Sequence, residues 1–512
     1  MSAALISEGP YTGPPEPATP ASGTSVMVPA HCEVRGQIRP GADSDIRFVA
    51  WLPVTGWNGK YRQQGNSGWA GVIPYADLID PLRRGYATAA TDDGHDDPNA
   101  GFQGAKWAIG HPEKVIDFGY RAVHETSVAV KAILLAFYGR DATTSYFVGC
   151  SEGGREALME AQRYPEDFDG VLAADPAGPF TQVMTGFAWN QQALRSSPRS
   201  VIPPEKLAII QAAVLSVCDT QDSARDGLLD DPRRCRFDPS VLACRQGDRS
   251  DCLTAPQLET LRKLYAGPTS SSTGERIFWG YLSGSEAVPR TWSTWINTSQ
   301  PELAVQAPNV TNFFGHALFE TDDWDYRALD LDRDFTFAKA KLSPILDAVN
   351  PDLRSFRAHG GKLLQYHGWA DVAIPAMASV SYYETVSSFL ARFPDGVSRN
   401  PGPVADFYRL FLVPGMGHCG GGVGPIDIGN VGLGRPVTLN DPVRDAFSAL
   451  ELWVEHAVAP NQLIGIGPRP LDPSRTLSRP VCAYPMVAIH NGTGDIYEAG
   501  SFRCELPTER GR

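Results

Sequence analysis

The chain has 512 residues, of which 42% are hydrophobic and 20% are charged. This composition excludes a disordered protein and predicts a large buried core, with more than one domain. The formal net charge is −13 and no Lys/Arg cluster stands out, so we expect neither nucleic acid nor an anionic membrane surface as a partner. No run of 18 or more apolar residues occurs, so the sequence predicts no membrane-spanning helix.

The nine cysteines indicate an oxidising compartment. Eight of them form plausible disulfide couples and Cys32 is left alone. The couples are Cys150 with Cys419, Cys218 with Cys235, Cys244 with Cys252, and Cys482 with Cys504. Residues 1–4 lack the charged and apolar segments of a secretory signal, so we predict a mature secreted or periplasmic protein whose signal has been removed. Nine reduced cytosolic thiols are the alternative.

The first part of the chain alternates strand and helix patterns. Residues 1–31 are interpreted as an extended lead-in, because residues 10–30 are rich in Pro, Gly, Ser and Thr. The predicted strands cover 45–52, 60–64, 86–91, 143–148 and 170–174, with helices over 116–138 and 154–163. This alternation predicts an α/β fold with a mostly parallel sheet, and residues 32–177 as the first part of its core.

The stretch 146–155, YFVGCSEGGR, is the motif from which the functional interpretation starts. Gly149-x-Ser151-x-Gly153 fits a nucleophile elbow, in which a serine sits in a tight turn between a strand and a helix. A chain with 50 glycines contains such spacings by chance, but the predicted flanking strand and helix supply the required context. Ser151 is therefore the predicted nucleophile.

The alternation is lost over residues 178–349, which we interpret as an inserted lid domain. Tryptophan is dense there, and the insertion carries four cysteines and an Asp-rich loop. From residue 350 the core resumes and continues to 512. The predicted elements are strands at 362–367 and 407–413 and helices at 376–392 and 443–456.

A serine nucleophile needs an imidazole base, and the base needs a carboxylate that fixes its tautomer. His418 follows the predicted strand 407–413 in a Gly-rich loop, and Asp371 follows the strand before it. Both then lie at the carboxyl edge of the sheet, in the order Ser, Asp, His that α/β-hydrolases use. Asp92 and Asp93 are rival acids, but they precede the serine.

We expect an oxyanion hole formed by the N–H of Glu152 and by Gly68 in the turn 65–71; an ordinary glycine turn is the alternative.

Three carboxylates crowd the segment 218–228 within the predicted lid. Asp219, Asp222 and Asp226 lie within eight residues, between Cys218 and Cys235. Carboxylates at this density suit Ca²⁺, with backbone carbonyls completing the coordination shell, although the spacing is not that of an EF-hand. We predict a structural Ca²⁺ and no organic cofactor. A solvated acidic turn is the alternative.

The motifs resemble those of the tannase and feruloyl esterase family, which includes a terephthalate monoester hydrolase. The resemblance rests on GCSEGGR at 149–155, HGWAD at 367–371, PGMGHCGG at 414–421 and the Asp-rich loop, and it runs from about Cys32 to Cys504. It implies an α/β-hydrolase core with a large lid. The implied residues are a triad of Ser151, Asp371 and His418, oxyanion donors at Gly68 and Glu152, a Cys150–Cys419 disulfide, and Ca²⁺ held by Asp219, Asp222, Asp226 and the carbonyls of Ala224 and Leu228. The family's usual partner for Cys32 has no match here.

The resemblance leads us to expect a secreted serine carboxylesterase that acts on small-molecule esters of aromatic acids. The lid stretch with Trp279 and Trp292 offers aromatic surface, and Arg290 matches an arginine that would meet a substrate carboxylate. The resemblance also implies His367 and Ala373 as pocket walls. Alternatively, the tryptophans belong to the lid core and Arg290 is ordinary surface. Feruloyl, galloyl and terephthaloyl monoesters stay open as substrates. A hydrolase of mono(2-hydroxyethyl) terephthalate is the alternative enzyme, and an inactive phenolic- or carbohydrate-binding protein is the alternative of another class.

Overall fold

A nine-stranded sheet runs through the centre of the computed structural model, which describes residues 1–11, 26–96, 104–296, 301–392, 404–431 and 440–507. Its strands are β1 (Ser2–Ile6), β2 (His31–Ile38), β3 (Ile46–Pro53), β4 (Lys60–Gln64), β5 (Ala87–Thr91), β6 (Thr144–Cys150), β7 (Gly170–Ala174), β8 (Lys362–Gly368) and β9 (Tyr408–Val413). The order across the sheet is β1-β2-β3-β5-β4-β6-β7-β8-β9. The first three pairings are antiparallel and the other five are parallel. The predicted α/β fold is confirmed.

The central strands are buried along almost their whole length because the sheet is covered on both faces. All five residues of β7 are buried, and so are the last six of β6 and of β8. Continuous apolar runs of this kind are typical of parallel strands between helix layers. The carboxyl ends of β6, β7, β8 and β9 therefore meet at one edge of the sheet.

Eight longer helices are described. They are α1 (Ala122–Tyr138), α2 (Glu152–Arg163), α3 (Phe180–Leu194), α4 (Leu207–Cys218), α5 (Ala255–Ala266), α6 (Leu331–Lys341), α7 (Met377–Arg392) and α8 (Ala446–His456). Four of them, α1, α2, α7 and α8, lie where the sequence predicts helices. Shorter α-helical segments cover Ile79–Arg83, Pro112–Ile116, Trp292–Trp295, Gln306–Val310, Ser343–Leu346 and Arg354–Ala358, and π-helical segments cover Asp117–Arg121 and Thr311–Leu318. The predicted helix 116–138 thus includes a π-helical turn. No described helix has the length and apolar character needed to cross a membrane.

Strands that the sequence patterns did not predict form in three regions: the expected lead-in, residues 31–38 (β2) and the C-terminal part of the chain. β1 lies within the expected lead-in and pairs with β2 from Ser2 opposite Arg35 to Ile6 opposite His31. All five residues of β1 are exposed, so no alternation marked it as a strand. Near the C-terminus, β10 (Gln462–Arg469) pairs with β11 (Asp472–Cys482), and β12 (Val487–His490) pairs with β13 (Phe502–Glu505).

The inserted region packs its aromatic residues onto the core. Phe180 of α3 contacts Trp69, with ring centroids 5.2 Å apart, and also Phe118 and Phe313. These rings belong to one buried cluster that contains residues of both the core and the insertion. The described part of residues 178–349 obtains its regular structure from helices.

Disulfides join all four predicted couples. They are Cys150–Cys419, Cys218–Cys235, Cys244–Cys252 and Cys482–Cys504. Cys32 is a free thiol in β2. The predicted pairing is confirmed.

Candidate active site

Ser151 occupies the turn between β6 and α2 in a strained backbone conformation. Its φ is 65° and its ψ is −115°, which non-glycine residues rarely adopt and which costs on the order of 1–3 kcal/mol. The Ser151 carbonyl accepts hydrogen bonds from the N–H groups of Arg155 and Ala177, each at 3.0 Å. The turn therefore holds the serine at the head of α2 and at the carboxyl edge of the sheet.

The glycines that flank Ser151 are required by close backbone contacts. A Cβ on Gly149 would lie 2.4 Å from the carbonyl carbon of Gly153. A Cβ on Gly153 would lie 2.8 Å from the carbonyl oxygen of Asn66, and one on Gly154 would lie 2.4 Å from that of Ala174. The strand, the helix and the loop that follows β4 meet too closely for any side chain at these positions. The G-x-S-x-G spacing thus has a steric cause.

Asp371 and His418 form the predicted pair of acid and base. His418 Nδ1 lies 2.7 Å from Asp371 Oδ2. Asp371 Oδ1 accepts the N–H groups of Ala373 at 2.7 Å and Ile374 at 3.0 Å, so the carboxylate is fixed in place. If Nδ1 donates its proton to Asp371, Nε2 is left as the acceptor that a serine base requires. The rival Asp92 instead accepts backbone N–H groups through Oδ1.

The charges of this pair depend on each other. Burial by itself raises the pKa of Asp371, but the neighbouring His418 and His367 outweigh it and hold that pKa below the ordinary value. Burial lowers the pKa of His418, and the charge of Asp371 outweighs that effect, so the net pKa is above the ordinary value. The arrangement favours an ionised aspartate and stabilises an imidazolium.

The serine and histidine loops are tied together by the Cys150–Cys419 disulfide. Each cysteine is the immediate chain neighbour of a predicted triad residue, although the two are 269 residues apart. Their Cα atoms lie 5.9 Å apart. Ser151 and His418 line the same cavity as a result.

That cavity has a volume of about 320 Å³ and lies between the core and the inserted region. One wall includes Ser67, Gly68, Ser151, Glu152, Ala373, Ile374 and His418, and the wall from residues 178–349 includes Phe180, Met184, Phe187, Arg290, Trp295 and Asn309. The rings of Trp295 and His418 meet edge to face, with centroids 5.1 Å apart. The cavity therefore offers an apolar, aromatic surface beside the serine and the imidazole.

The two predicted oxyanion donors, Gly68 and Glu152, both line this cavity. Glu152 is the first residue of α2, where an N–H has no acceptor within the helix. Gly68 has a φ of 59°, a conformation that favours glycine. Its loop is held by Asn66, whose N–H donates to Glu156 Oε2 at 2.9 Å and whose carbonyl accepts the N–H of Gly153 at 2.9 Å. Their role as donors stays a prediction.

Of the five predicted substrate contacts, the structure brings Arg290 and Ala373 to the cavity and places three residues elsewhere. His367 is fully buried, with Nε2 2.8 Å from the carbonyl oxygen of Ile374 and 3.2 Å from Asp371 Oδ2. It supports the acid from behind instead of forming a wall. The family resemblance had implied a place in the pocket wall for this residue, which flanks Asp371 in the chain.

The two tryptophans predicted as substrate contacts also lie outside the catalytic cavity. Trp292 is completely buried and packs against Tyr265 and Tyr281, so it belongs to the lid core. Trp279 stacks with Arg276, whose guanidinium carbon lies 3.7 Å from the ring centroid, beside a different cavity. Trp295 from the same Trp-rich stretch is the residue that reaches His418. Four residues of α3, at 180, 183, 184 and 187, also line the cavity, and this helical spacing is a signal that could have found them.

The predicted calcium ligands lie in what we call the aspartate loop, residues 219–230. Asp219, Asp222 and Asp226 each use one oxygen to accept a backbone N–H of the loop, from Gly227, Ala224 and Leu228 respectively. Arg479 ion-pairs with Asp226 and Asp230, and its Nη1 lies 3.7 Å from Asp222 Oδ2, a buried oxygen that accepts no hydrogen bond. Three buried carboxylates thus share one guanidinium, with Asp219 as a fourth buried carboxylate in the same loop. The excess of negative charge and the oxygen that accepts no hydrogen bond fit a hard divalent cation such as Ca²⁺.

Comparison with known proteins adds independent findings. Residues 32–505 match the model of a family described as tannase and feruloyl esterase. An uncharacterised esterase of Xanthomonas campestris pv. campestris is 40% identical over 93% of this chain and 84% of its own length. The mono(2-hydroxyethyl) terephthalate hydrolase of Piscinibacter sakaiensis is 31% identical over 96% of this chain and 87% of its own. The crystal structure of feruloyl esterase B from Aspergillus oryzae superposes with a TM-score of 0.84, at 27% identity, over 98% of this chain and 96% of that one.

Proposed function

Because the chain belongs to the tannase and feruloyl esterase family and is a carboxylic ester hydrolase, we propose that it cleaves small esters of aromatic acids through an acyl-enzyme on Ser151. The observation that carries the proposal is that one cavity is lined by Ser151, His418 and the lid tryptophan Trp295, with Asp371 bonded to the far side of the imidazole.

In the proposed reaction, His418 Nε2 takes the proton of the Ser151 hydroxyl as its oxygen attacks the ester carbonyl. The N–H groups of Gly68 and Glu152 stabilise the oxyanion, aided by the N-terminus of α2. The imidazolium then protonates the leaving alcohol, and the acyl group stays on Ser151. A water activated by His418 releases the aromatic acid. Asp371 keeps the imidazole oriented and stabilises its charge in both steps.

The lining and volume of the cavity support the proposal that the substrate carries an aromatic acyl group. Phe180, Met184, Phe187 and Trp295 contribute flat or flexible apolar surface to the wall from residues 178–349. A volume of about 320 Å³ is near the lower limit of typical small-ligand sites, which suits a single-ring acid with a short alcohol. We infer from this that bulky polyphenolic esters enter only in part.

A parallel assay tests the proposal. Methyl ferulate, methyl gallate and mono(2-hydroxyethyl) terephthalate are offered to the wild type, with Ser151→Ala as the blank. We expect Ser151-dependent turnover, and a tenfold preference in kcat/KM for one ester would correspond to about 1.4 kcal/mol of transition-state discrimination. Turnover that Ser151→Ala retains, or none with any of the three, would contradict the proposal.

Arg290 favours one second candidate, a hydrolase of terephthalate monoesters. Its side chain is exposed and lines the cavity that contains Ser151 and His418, where it can meet a substrate carboxylate. For this function, Arg290→Ala should lower kcat/KM for mono(2-hydroxyethyl) terephthalate while leaving methyl ferulate within twofold. Arg262→Ala, a change at an exposed arginine of α5 that is absent from the cavity wall, is the matched control. Equal losses for both esters would remove the candidate.

We also propose that the aspartate loop binds a structural Ca²⁺. Asp219, Asp222 and Asp226 with the carbonyls of Ala224 and Leu228 would hold it, and the ion would neutralise the loop's excess negative charge.

The four disulfides support a further proposal, that the protein works in a secreted or periplasmic setting, where such bonds persist.

A further inference from the structure

A second buried carboxylate, Asp175, lies beneath the proposed triad and has no part in the mechanism above. It directly follows β7, the strand between those that lead to Ser151 and Asp371, and its exposure is 0%. A fully buried aspartate requires compensation by hydrogen bonds or charges, because its desolvation is costly. The residues that make these compensating contacts indicate the role of Asp175.

The carboxylate of Asp175 connects the two loops that carry the acid and the base. Oδ1 accepts the N–H of Gly368 at 2.8 Å, at the end of β8 and three residues before Asp371. Oδ2 accepts the N–H of Cys419 at 3.1 Å, the residue that follows His418. The N–H of Asp175 itself donates to the carbonyl of Tyr366 at 2.9 Å. Asp175 thus links the end of β7 to the end of β8 and to the loop that carries His418.

The backbone at this point is held in an unusual conformation. Ser151, Asp175 and Cys419 are non-glycine residues with φ values of 65°, 37° and 56°. Such conformations persist only where the surroundings determine them, and they cluster at functional sites. The Cys150–Cys419 disulfide joins two of these turns, and the Asp175 carboxylate, whose Oδ2 lies 3.6 Å from Cys150 Sγ, joins the third to them.

We propose that Asp175 is a positioning residue for the catalytic base, which orients His418 by holding the N–H of Cys419 and the end of the strand that leads to Asp371. The disulfide limits how far the His418 loop can move, but rotation about its bonds leaves the direction of the imidazole open. The hydrogen bond to the backbone next to His418 removes that freedom. This inference rests on the proposed serine mechanism.

Asp175 also acts on the base through its charge. The ionisable groups that face it are His367, Asp371 and His418, and the Cys150–Cys419 disulfide covers its remaining side. Its negative charge contributes to the raised pKa of His418. Burial raises the pKa of Asp175 itself, and the neighbouring imidazoles of His367 and His418 oppose that rise by favouring the ionised carboxylate.

Asp175→Asn is the first test, because asparagine tolerates the left-handed backbone and nearly preserves the shape. The amide can accept one of the two N–H groups but turns a donor toward the other. We expect kcat to fall about tenfold to 100-fold with KM within twofold, as for a misplaced catalytic group. In the pH profile of kcat/KM, the acid limb, where activity falls as His418 is protonated, should move to lower pH. The reason is that the variant loses a negative charge that raises the pKa of His418.

Two further variants separate positioning from general destabilisation. Asp175→Gly accepts the φ of 37° and removes both acceptors, so it should fold and lose at least as much kcat. Asp445→Asn alters another buried carboxylate, which accepts the N–H groups of Phe447 and Ser448 at the start of α8 and none beside His418 or Asp371. That control should lower the melting temperature without moving the acid limb.

The outcomes distinguish this inference from the proposed mechanism. If the wild type shows Ser151-dependent turnover but a soluble Asp175→Asn or Asp175→Gly enzyme keeps kcat within twofold and the same acid limb, the inference is overturned. It is also overturned if Asp445→Asn shifts the limb equally. If the wild type shows no turnover that depends on Ser151, the mechanism itself fails.

Discussion

Two buried groups of carboxylates in this molecule have opposite electrostatic surroundings. In the catalytic cluster, Asp371 faces the imidazoles of His418 and His367, and they hold its pKa below the ordinary value. In the aspartate loop, Asp222, Asp226 and Asp230 share the single guanidinium of Arg479, and burial together with Asp230 raises the pKa of Asp222. Imidazoles can exchange protons during a reaction, whereas a guanidinium stays charged. The first group suits proton transfer and the second suits a fixed cation.

The largest expected effect is loss of the pairing between Asp371 and His418. Asp371→Asn should lower kcat by about 10⁴-fold, because the imidazole would adopt the wrong tautomer, and steady-state kinetics on the preferred ester would measure it. Asp92→Asn is the control, since that buried aspartate at the end of β5 accepts backbone N–H groups and has no contact with the base. Larger damage from Asp92→Asn than from Asp371→Asn would reverse our assignment of the acid.

The disulfides beside the two groups should differ in their contribution to stability. Cys150 and Cys419 are 269 residues apart, but Cys218 and Cys235 are only 17 apart. On the chain-entropy account, replacing the first pair by alanine should cost about 5.6 kcal/mol of unfolding free energy, and replacing the second about 3 kcal/mol. Urea unfolding of both double variants would measure the difference. An equal or inverted order would show that native-state strain outweighs loop length.

Removal of Ca²⁺ should affect stability and leave the chemistry nearly unchanged. At a free concentration 100 times the Kd, the ion would stabilise the protein by about 2.7 kcal/mol, so chelation should lower the melting temperature by several degrees in calorimetry. Asp222→Ala should abolish this difference, whereas Asp238→Ala, at an exposed aspartate beyond the loop, should preserve it. A calcium-dependent shift that survives Asp222→Ala would place the ion elsewhere.

The smallest expected effect is in the pH profile. Because the net pKa of His418 is raised above 6.5, the base becomes protonated already as the pH falls through that raised value. Log kcat/KM should fall by one for each pH unit below it, or about 1.4 kcal/mol per unit. Profiles from pH 5 to 9, with and without added Ca²⁺, should share one acid limb. A limb that moves with Ca²⁺ would show that the aspartate loop acts on the triad.

Local patterns were sufficient for much of the core and its loops. The apolar runs of β6, β7, β8 and β9 identified the parallel strands because such strands are buried on both faces. Small residues around Ser151 identified the turn, because neighbouring backbone segments approach too closely there to leave room for larger side chains. The order of Ser151, Asp371 and His418 then followed from the strand ends on which they lie. β1 was missed because all its residues are exposed and carry no alternation.

The sequence by itself thus determined the α/β class, the disulfide couples and the pairing of Asp371 with His418. Only the tertiary structure decided which tryptophan faces the cavity: Trp279, Trp292 and Trp295 look alike in the chain, and their orientation depends on how the lid packs. It also decided the roles of His367 and Asp175. Both lie near strand ends at the catalytic edge, but their contacts join residues brought together by the sheet, and no local pattern records them. Secondary-structure propensity and burial can be inferred from neighbouring residues in the sequence. The direction of a side chain between two packed regions depends on residues from both regions, which are distant in the sequence.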